Sequence, residues 1–241
     1  MPIVYKDKST LFARFMHAVR VKLSALRRRI YSKDLYFSQY GQDRYILEYF
    51  KNKTDGFFID IGAFNGVTFS NTLKMENLGW KGICIEPNPE MFKKVCSTRK
   101  CAKYNVAIAE NDSKRDFVQI KGHCAVLSGM KDDYHPDHIK RIEKELSKLG
   151  GSMETIKVET ITFETLMTNF PDVKTIDYIS IDTEGNEIKV LKSIDFSKYD
   201  IKALSIENDY NNAEIRELMK KSGYKCVIKL GCDEIYIKNN L

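Results

Sequence analysis

Four acidic residues share one sequence context, because each ends an apolar, strand-like run and comes just before a turn. They are Asp60, Glu86, Asp182 and Glu207. In an open parallel sheet, the carboxyl ends of the strands border the ligand crevice. We therefore expect these carboxylates to lie along one edge of a sheet, where they can accept hydrogen bonds from a ligand or a proton from a reacting group.

The residues around Asp60 form a glycine-bearing turn within the stretch FFIDIGAFNGVTFSNT, Phe57–Thr72. A strand, a glycine turn and a helix in this order bring backbone amides close to a nucleotide-like ligand. The pattern G-A-F-N-G has no third, helix-packing glycine, and Phe64 and Asn65 are bulky beside a pyrophosphate. It favours an adenosyl ligand without phosphates over a dinucleotide.

Glu86 follows Asp60 by 26 residues (86 − 60), at the end of the next strand-like run. This spacing suits a carboxylate that accepts hydrogen bonds from ribose hydroxyls. S-Adenosylmethionine carries a cationic sulfonium and an amino group, and these charges would explain the acids around the turn. The sequence therefore predicts S-adenosylmethionine as the cofactor.

Strand-like runs alternate with helical segments along residues 37–241, which predicts an α/β domain with a doubly wound, mostly parallel sheet. The chain closes with two strand-like runs, GYKCVIKL and CDEIYIKN, so a C-terminal antiparallel hairpin is expected. We expect the third strand to start at Ala102 and end near residues 105–108. The polar segment at about 123–151 is predicted to be an insertion or lid.

Residues 1–36 account for the positive net charge of the chain, which is +6. They contain nine Lys or Arg and two Asp or Glu, a net of +7, so the remaining chain carries −1. Apolar residues three and four apart between positions 9 and 30 predict a basic amphipathic helix. Two roles stay open for this arm: a helix docked on the domain or on a partner subunit, or one that lies on an anionic membrane surface.

Cysteine spacing and hydropathy limit the compartment and the metal chemistry. None of the six cysteines forms a C-x-x-C pair, and no histidine spacing matches a zinc site. No apolar run reaches the ~20 residues that span a bilayer, and Arg14, Arg20 and Lys22 interrupt any secretory signal. We expect a cytoplasmic protein, peripheral at a membrane if the arm binds lipid.

Five motifs in a fixed order resemble the FkbM-type methyltransferase family. They are SQYGQD, FFIDIGAFNGVTFSNT, GICIEPNP, NVAI and DYISIDTEGNEIKVL. The resemblance covers residues 37–237 and leaves the basic arm outside. It implies a class I methyltransferase fold, Rossmann-like, with a seven-stranded sheet that has the hairpin at one edge.

The resemblance also implies which residues contact the cofactor. The residues at its methionine end are Asp60, Gly62, Ala63 and Gly66, supported by Asn71 and Thr72. Those at its ribose and adenine are Glu86, Pro87, Asn88 and the stretch from Asn105 to Ala107. Those that close over it from the N-terminal side are Gln39, Gln42 and Asp43.

The family's D-x-E-G turn, here Asp182 to Gly185, is implied to lie next to the transferable methyl group. Asp182 is the first candidate for the base that deprotonates the acceptor, and Glu184 is the second. Two competing roles stay open: a contact between Asp182 and the cofactor amine, and a Mg²⁺ ligand for either acid. His123, in the loop of residues 121–130, is a third catalytic candidate.

The resemblance implies an O-methyltransferase that acts on a hydroxyl, above all that of a sugar in a glycan, glycolipid or glycosylated metabolite. One alternative is an RNA ribose 2′-O-methyltransferase, although a body that is nearly neutral disfavours a nucleic-acid partner. Another is a non-catalytic module that binds the cofactor or a membrane. The expected partners are a small-molecule or glycan acceptor and, through residues 9–30, an anionic membrane.

Overall fold

A computed structural model of the protein describes residues 35–239, and a seven-stranded sheet forms its centre. The basic helix expected at residues 9–30 lies outside the described residues, so its two roles and the domain boundary at residue 36 stay predictions. The strands run in the order β10-β11-β9-β8-β1-β2-β3. Their bounds are β1 Phe57–Ile61, β2 Lys81–Ile85, β3 Ala102–Tyr104, β8 Thr175–Ile181, β9 Asp200–Glu207, β10 Tyr224–Leu230 and β11 Asp233–Lys238.

The sheet is parallel from β3 to β9 and antiparallel at the hairpin. β1 pairs with β2 and with β8 in parallel, whereas β11 runs antiparallel to both β9 and β10. The reversal of strand order between β1 and its two neighbours opens the crevice expected in such sheets. The predicted α/β class, the mostly parallel sheet and the C-terminal hairpin are confirmed.

Apolar residues on both faces of the central strands explain why helices cover both sides. In β1, Phe58 packs with α1 to α3, and Ile59 packs with the helices of the opposite face. Both side chains are fully buried, and such burial stabilises the fold by about 1.5–3 kcal/mol for each. The helices are α1 Gln42–Tyr49, α2 Leu73–Asn77, α3 Pro89–Thr98, α5 Phe163–Met167, α6 Glu187–Lys192 and α7 Ala213–Lys221.

A second, four-stranded sheet is inserted between β3 and β8, in the order β4-β7-β5-β6. Its elements are β4 Ala107–Ile108, β5 Ser113–Lys121, β6 Gly129–Met130, α4 Pro136–Leu149 and β7 Ser152–Ile161. The insertion therefore begins before residue 123. The third strand ends at Tyr104, because the expected last residues of this strand, 107–108, belong to β4 of the second sheet. Between the two strands, the Asn105 side chain donates hydrogen bonds to the Glu86 and Pro87 carbonyls. The long antiparallel pairing of β5 with β7 carries α4 to the carboxyl edge of the main sheet.

Candidate active site

A cleft lies along the carboxyl ends of β1, β2, β8 and β9, where the sequence analysis predicts a row of acidic residues. The structure brings most of the predicted residues into the cleft wall. These are Gln39, Gln42, Asp60, Gly62, Ala63, Asn71, Glu86, Pro87, Asn88, Ala107, Asp182 and Glu184. The predicted residues that do not line it are Asp43, Gly66, Thr72, Asn105 and His123.

The turn after β1 is held between the two neighbouring strands. The amides of Gly62 and Ala63 both donate to the Ile85 carbonyl at 3.0 Å. Gly62 has a φ of +92°, and a Cβ there would lie 1.7 Å from the Asp182 carbonyl oxygen. Only glycine allows this contact between the β1 turn and the residue that follows β8.

Glu86, at the end of β2, is buried and binds the backbone on both sides. Its two carboxylate oxygens accept hydrogen bonds from the amides of Phe64 and Asn88, each at 2.8 Å. Burial raises the pKa of Glu86 to about 8. Each carboxylate oxygen has a further lone pair, so the group can still accept from a ligand hydroxyl.

Asp60 is anchored from behind by a buried arginine that the sequence prediction missed. Its Oδ2 accepts hydrogen bonds from Thr72 Oγ1 at 2.5 Å and from Arg99 Nη1 at 3.4 Å. Arg99 also binds Glu76 at 2.7 Å and the Gly66 carbonyl at 3.4 Å. Thr72 and Gly66 therefore support the turn from behind, outside the cleft. Burial nevertheless raises the pKa of Asp60.

The N-terminal cluster divides between capping and the cleft. Asp43 accepts hydrogen bonds from the Phe37 amide and the Ser38 hydroxyl, so it orders the chain before α1 and does not line the cleft. Gln42 donates to Asp233 Oδ2 at 2.8 Å, which ties α1 to the start of β11. Gln42 and Gln39 both line the cleft.

His123 is exposed and does not line the cleft, so the structure does not bring it to the other candidates. The histidine that approaches them is His138 on α4, whose Nδ1 lies 3.4 Å from Glu184 Oε2. No local sequence pattern indicates this contact, because the two residues meet only after β5 and β7 have paired.

Carboxylates at the carboxyl ends of β8 and β9 form a cluster. Oxygen atoms of Asp182, Glu184 and Glu207 lie within 4.8 Å of one another. Burial, followed by repulsion between the acids, raises the pKa of Asp182 and Glu207, and burial raises that of Glu184 to about 8. Three such groups are not all ionised at neutral pH. This spacing alone identifies no metal.

Three buried asparagine side chains each have one polar atom without a hydrogen-bond partner among the described residues, and they show whether the cleft fits S-adenosylmethionine. Asn88 accepts from Glu90, Met91 and Gln119, which fixes the orientation of its amide and leaves Nδ2 without a partner among the described residues. Asn71 Oδ1 and Asn186 Oδ1 are likewise buried and without a partner in residues 35–239. All three line the cleft. The cleft therefore offers a hydrogen-bond donor for an adenine nitrogen and acceptors for an ammonium group. It also offers carboxylates that can face a positive charge, so its residues fit S-adenosylmethionine.

A family model of the methyltransferase FkbM domain matches residues 60–226 of this chain. The chain belongs to the FkbM methyltransferase family. The match spans the β1 turn, Glu86, the inserted sheet and the D-x-E-G turn, so it includes both ends of the cleft. The resemblance read from the motifs is confirmed, and the cofactor of this FkbM domain is S-adenosylmethionine.

Two solved structures illustrate the similarity of the fold. A methyltransferase FkbM from Methylobacillus flagellatus is 11% identical with a TM-score of 0.43, over 76% of this chain and 44% of that protein. A TehB-like SAM-dependent methyltransferase from Corynebacterium glutamicum is 10% identical with a TM-score of 0.40, over 92% of this chain and all of that one. This FkbM-family chain thus spans less than half of the Methylobacillus protein. A comparison with curated proteins gives no match.

Proposed function

We propose that the protein is an S-adenosylmethionine-dependent O-methyltransferase that acts on a hydroxyl, most directly that of a sugar in a glycan, glycolipid or glycosylated metabolite. The observation that carries this proposal is the Asp182–Glu184–Glu207 cluster at the cofactor cleft. A hydroxyl must lose its proton as it is methylated, and a base with a raised pKa is matched to that task near neutral pH.

The roles of the two ends of the cleft follow from their contacts. Glu86 would hold the ribose, Asn88 Nδ2 would face the adenine, and Asn71 Oδ1 would accept from the amino group. S-Adenosylmethionine, when bound, supplies an electrophilic methyl group. These residues orient the cofactor relative to the acceptor, and such alignment accounts for much of the acceleration of a two-substrate reaction.

Asp182 is the group that takes the proton. No hydrogen bond or ion pair within residues 35–239 reaches its carboxylate, and the side chain is only partly buried in the cleft. With the cofactor bound, the new bond from the acceptor oxygen to the methyl carbon would replace the methyl–sulfur bond, and S-adenosylhomocysteine would leave. The O–H bond of the acceptor would break, and an Asp182 oxygen would take the proton. Burial, followed by repulsion from neighbouring acids, raises the pKa of Asp182, which strengthens it as a base.

The preference for a sugar is supported by the side chains at the mouth of the cleft. Tyr40 and Phe69 are 47% and 48% exposed, yet both line the cleft. Exposed aromatic rings beside polar groups are typical of a ligand site, since the rings cover apolar faces and the polar groups orient the ligand. A pyranose ring has both apolar C–H faces and hydroxyls.

The charge of this end disfavours the alternative of an RNA ribose. Asp182, Glu184, Glu207 and Asp209 all line the cleft beside a single arginine, Arg141, so within residues 35–239 this end lacks the basic surface that binds a phosphate backbone. Residues 9–30 remain our proposed contact for an anionic membrane, which would bring a lipid-linked acceptor near the enzyme. Among the described residues, no helix is long and apolar enough to span a bilayer.

Transfer of labelled methyl from S-adenosylmethionine into a native extract tests the proposal. After incubation with the protein, the extract is separated into glycan, lipid, RNA and protein fractions. We expect alkali-stable label in the glycan or glycolipid fraction. Label confined to RNA or protein would overturn the sugar assignment, and no label in any fraction would favour the non-catalytic module.

A further inference from the structure

His138 of the inserted segment lies against the acidic cluster. It lies on the buried side of α4 and is 1% exposed. Its Nε2 lies 3.3 Å from the Leu127 carbonyl oxygen, and its Nδ1 lies 3.4 Å from Glu184 Oε2. A carbonyl oxygen only accepts hydrogen bonds, so Nε2 carries a proton and donates it to Leu127.

The neutral form of this ring leaves a lone pair on Nδ1, and Glu184 is placed to donate to it. Burial lowers the pKa of His138, whereas burial raises that of Glu184 to about 8. The two shifts agree on one arrangement, in which a neutral imidazole faces a protonated carboxyl group. A neutral Nδ1 accepts a hydrogen bond, and the Glu184 hydroxyl supplies it.

Other titratable and charged groups face this pair from each element around it. The residues at the ends of β8 and β9 and at the start of α6 contribute further acids, and α4 with its N-cap contributes an arginine and a second histidine. They are Asp182, Glu187, Glu207, Asp209, Arg141 and His135. Tyr210 is also close, with its hydroxyl 3.3 Å from Nδ1, and the Tyr134 ring packs on the imidazole at 4.6 Å. The net environment is acidic, which favours a proton in the cluster.

We propose that His138 is a positioning residue of the methyl-transfer site: its Nδ1 accepts a hydrogen bond from the Glu184 carboxylic acid, which keeps the shared proton on Glu184 and leaves Asp182 ionised as the base. This inference rests on the proposed function. Without His138, the proton would be distributed among three neighbouring carboxyl groups, and Asp182 would be ionised in a smaller fraction of molecules. After the transfer, the proton of the acceptor hydroxyl is on Asp182, and the proton of Glu184 has not moved.

The proposal also explains why the insertion crosses to the active site. The β5–β7 ribbon and α4 carry the His138 imidazole against the D-x-E-G turn. Glu184 in that turn has a φ of +58°, a conformation that residues other than glycine rarely adopt. The observed strain and the contact with His138 both fix where the Glu184 carboxyl group points.

Nitrogen spectra of the full chain labelled with ¹⁵N-histidine test the proton position directly. The chain has four histidines, and the resonances of His138 are assigned by their absence from His138→Gln. At pH 7 with S-adenosylhomocysteine, we expect a neutral ring with a protonated Nε2 and a hydrogen-bonded lone pair on Nδ1. Glu184→Ala should shift the Nδ1 resonance, and Tyr210→Phe should shift it less. An imidazolium, a protonated Nδ1, or a shift in Tyr210→Phe alone would overturn the proposal.

Activity variants provide a second arm, measured as label transfer into the fraction that the wild-type protein labels. Glu184→Gln keeps a donor towards Nδ1 and should retain at least a third of kcat, whereas Glu184→Ala should lose about tenfold or more. In His138→Gln, the acid limb of the pH–kcat profile should move up by about one pH unit, the size of an ordinary hydrogen bond. Loss of activity in Glu184→Gln equal to that in Glu184→Ala, or an unmoved profile in folded His138→Gln, would contradict it. If the wild-type protein transfers no label, the proposed function fails, and the spectra alone still decide where the proton lies.

Discussion

The two ends of the cleft hold acids in opposite ways. At the β1–β2 end, each carboxylate has strong partners: Asp60 binds Thr72 and Arg99, and Glu86 binds two backbone amides. At the β8–β9 end, no hydrogen bond or ion pair within residues 35–239 reaches the carboxylate of Asp182. The partnered acids at the first end hold the binding turn in place, whereas the carboxylate of Asp182 at the second end stays available to accept a proton. The fold thus separates cofactor binding from proton transfer.

The largest effect that this difference predicts is on turnover at the β8–β9 end. Asp182→Asn removes the base and should lower kcat by about 10²–10⁴-fold. Affinity for S-adenosylmethionine should change by less than about threefold, because the asparagine keeps the shape of the side chain. Single-turnover label transfer and calorimetry measure the two quantities.

Asp195→Asn, an exposed acid beyond α6, is the matched control for that substitution and should leave both unchanged. A variant Asp182→Asn that keeps full turnover would remove Asp182 as the base. One that retains turnover but binds the cofactor weakly would assign Asp182 to the cofactor amine.

The next effect is on stability at the β1–β2 end. Arg99→Leu leaves Asp60 and Glu76 buried without their cation, and breaking a buried ion pair in this way costs about 3–5 kcal/mol. Urea unfolding should show that loss. Arg44→Leu, which breaks an exposed ion pair with Glu48, should change the midpoint little. Equal effects of the two variants would argue against an anchoring role for Arg99.

A smaller effect concerns the pH dependence of stability. The pKa values of Glu86 and Glu184 rise from 4.5 to about 8 on folding, so the native state holds protons that the unfolded state has released between those values. The free energy of unfolding should therefore fall as the pH rises from about 4.5 to about 8. Urea titrations at pH 5.5 and 8 measure the fall.

Glu184→Gln should reduce that fall, because the amide does not ionise, whereas the exposed Glu159→Gln should leave it as it is. A wild-type stability that rises across this pH range would show that the acids are ionised in the native state. The same fall in Glu184→Gln as in the wild type would place the proton elsewhere.

The smallest effect on the cleft is expected from the N-terminal arm. Deletion of residues 1–33 should leave affinity for S-adenosylmethionine unchanged, since both ends of the cleft are built from later residues. The same deletion should reduce sedimentation with vesicles that contain anionic phosphatidylserine. Vesicle binding that survives the deletion would end the membrane proposal.

The main sheet could be predicted from sequence because its strands are short apolar runs that end in acids and turns. The cofactor-binding residues at the β1–β2 end of the cleft could also be predicted, since Gly62 and Glu86 lie within local motifs. The inserted sheet was underestimated, because β5 and β7 are polar, alternating strands that pair across some 30 intervening residues. Local periodicity indicates a strand but does not name its partner.

Arg99 and His138 were missed for a related physical reason. Each acts on an acid far away in the chain, Asp60 and Glu184, and neither lies in a motif. Conversely, Asp43 was expected to close over the cofactor but orders the chain before α1, whereas Thr72 supports the β1 turn through Asp60. Residue type and spacing located the cleft, whereas burial and pairing decided which side chains enter it.

Calorimetry with S-adenosylmethionine on the wild type, Glu86→Ala and Asp182→Asn tests the separation of roles most directly. We predict that the wild type binds one cofactor, that Glu86→Ala binds it at least about tenfold more weakly through the loss of the hydrogen bonds to the ribose hydroxyls, and that Asp182→Asn binds like the wild type. Equal affinity in Glu86→Ala and the wild type, or equal weakening in the two variants, would contradict the account.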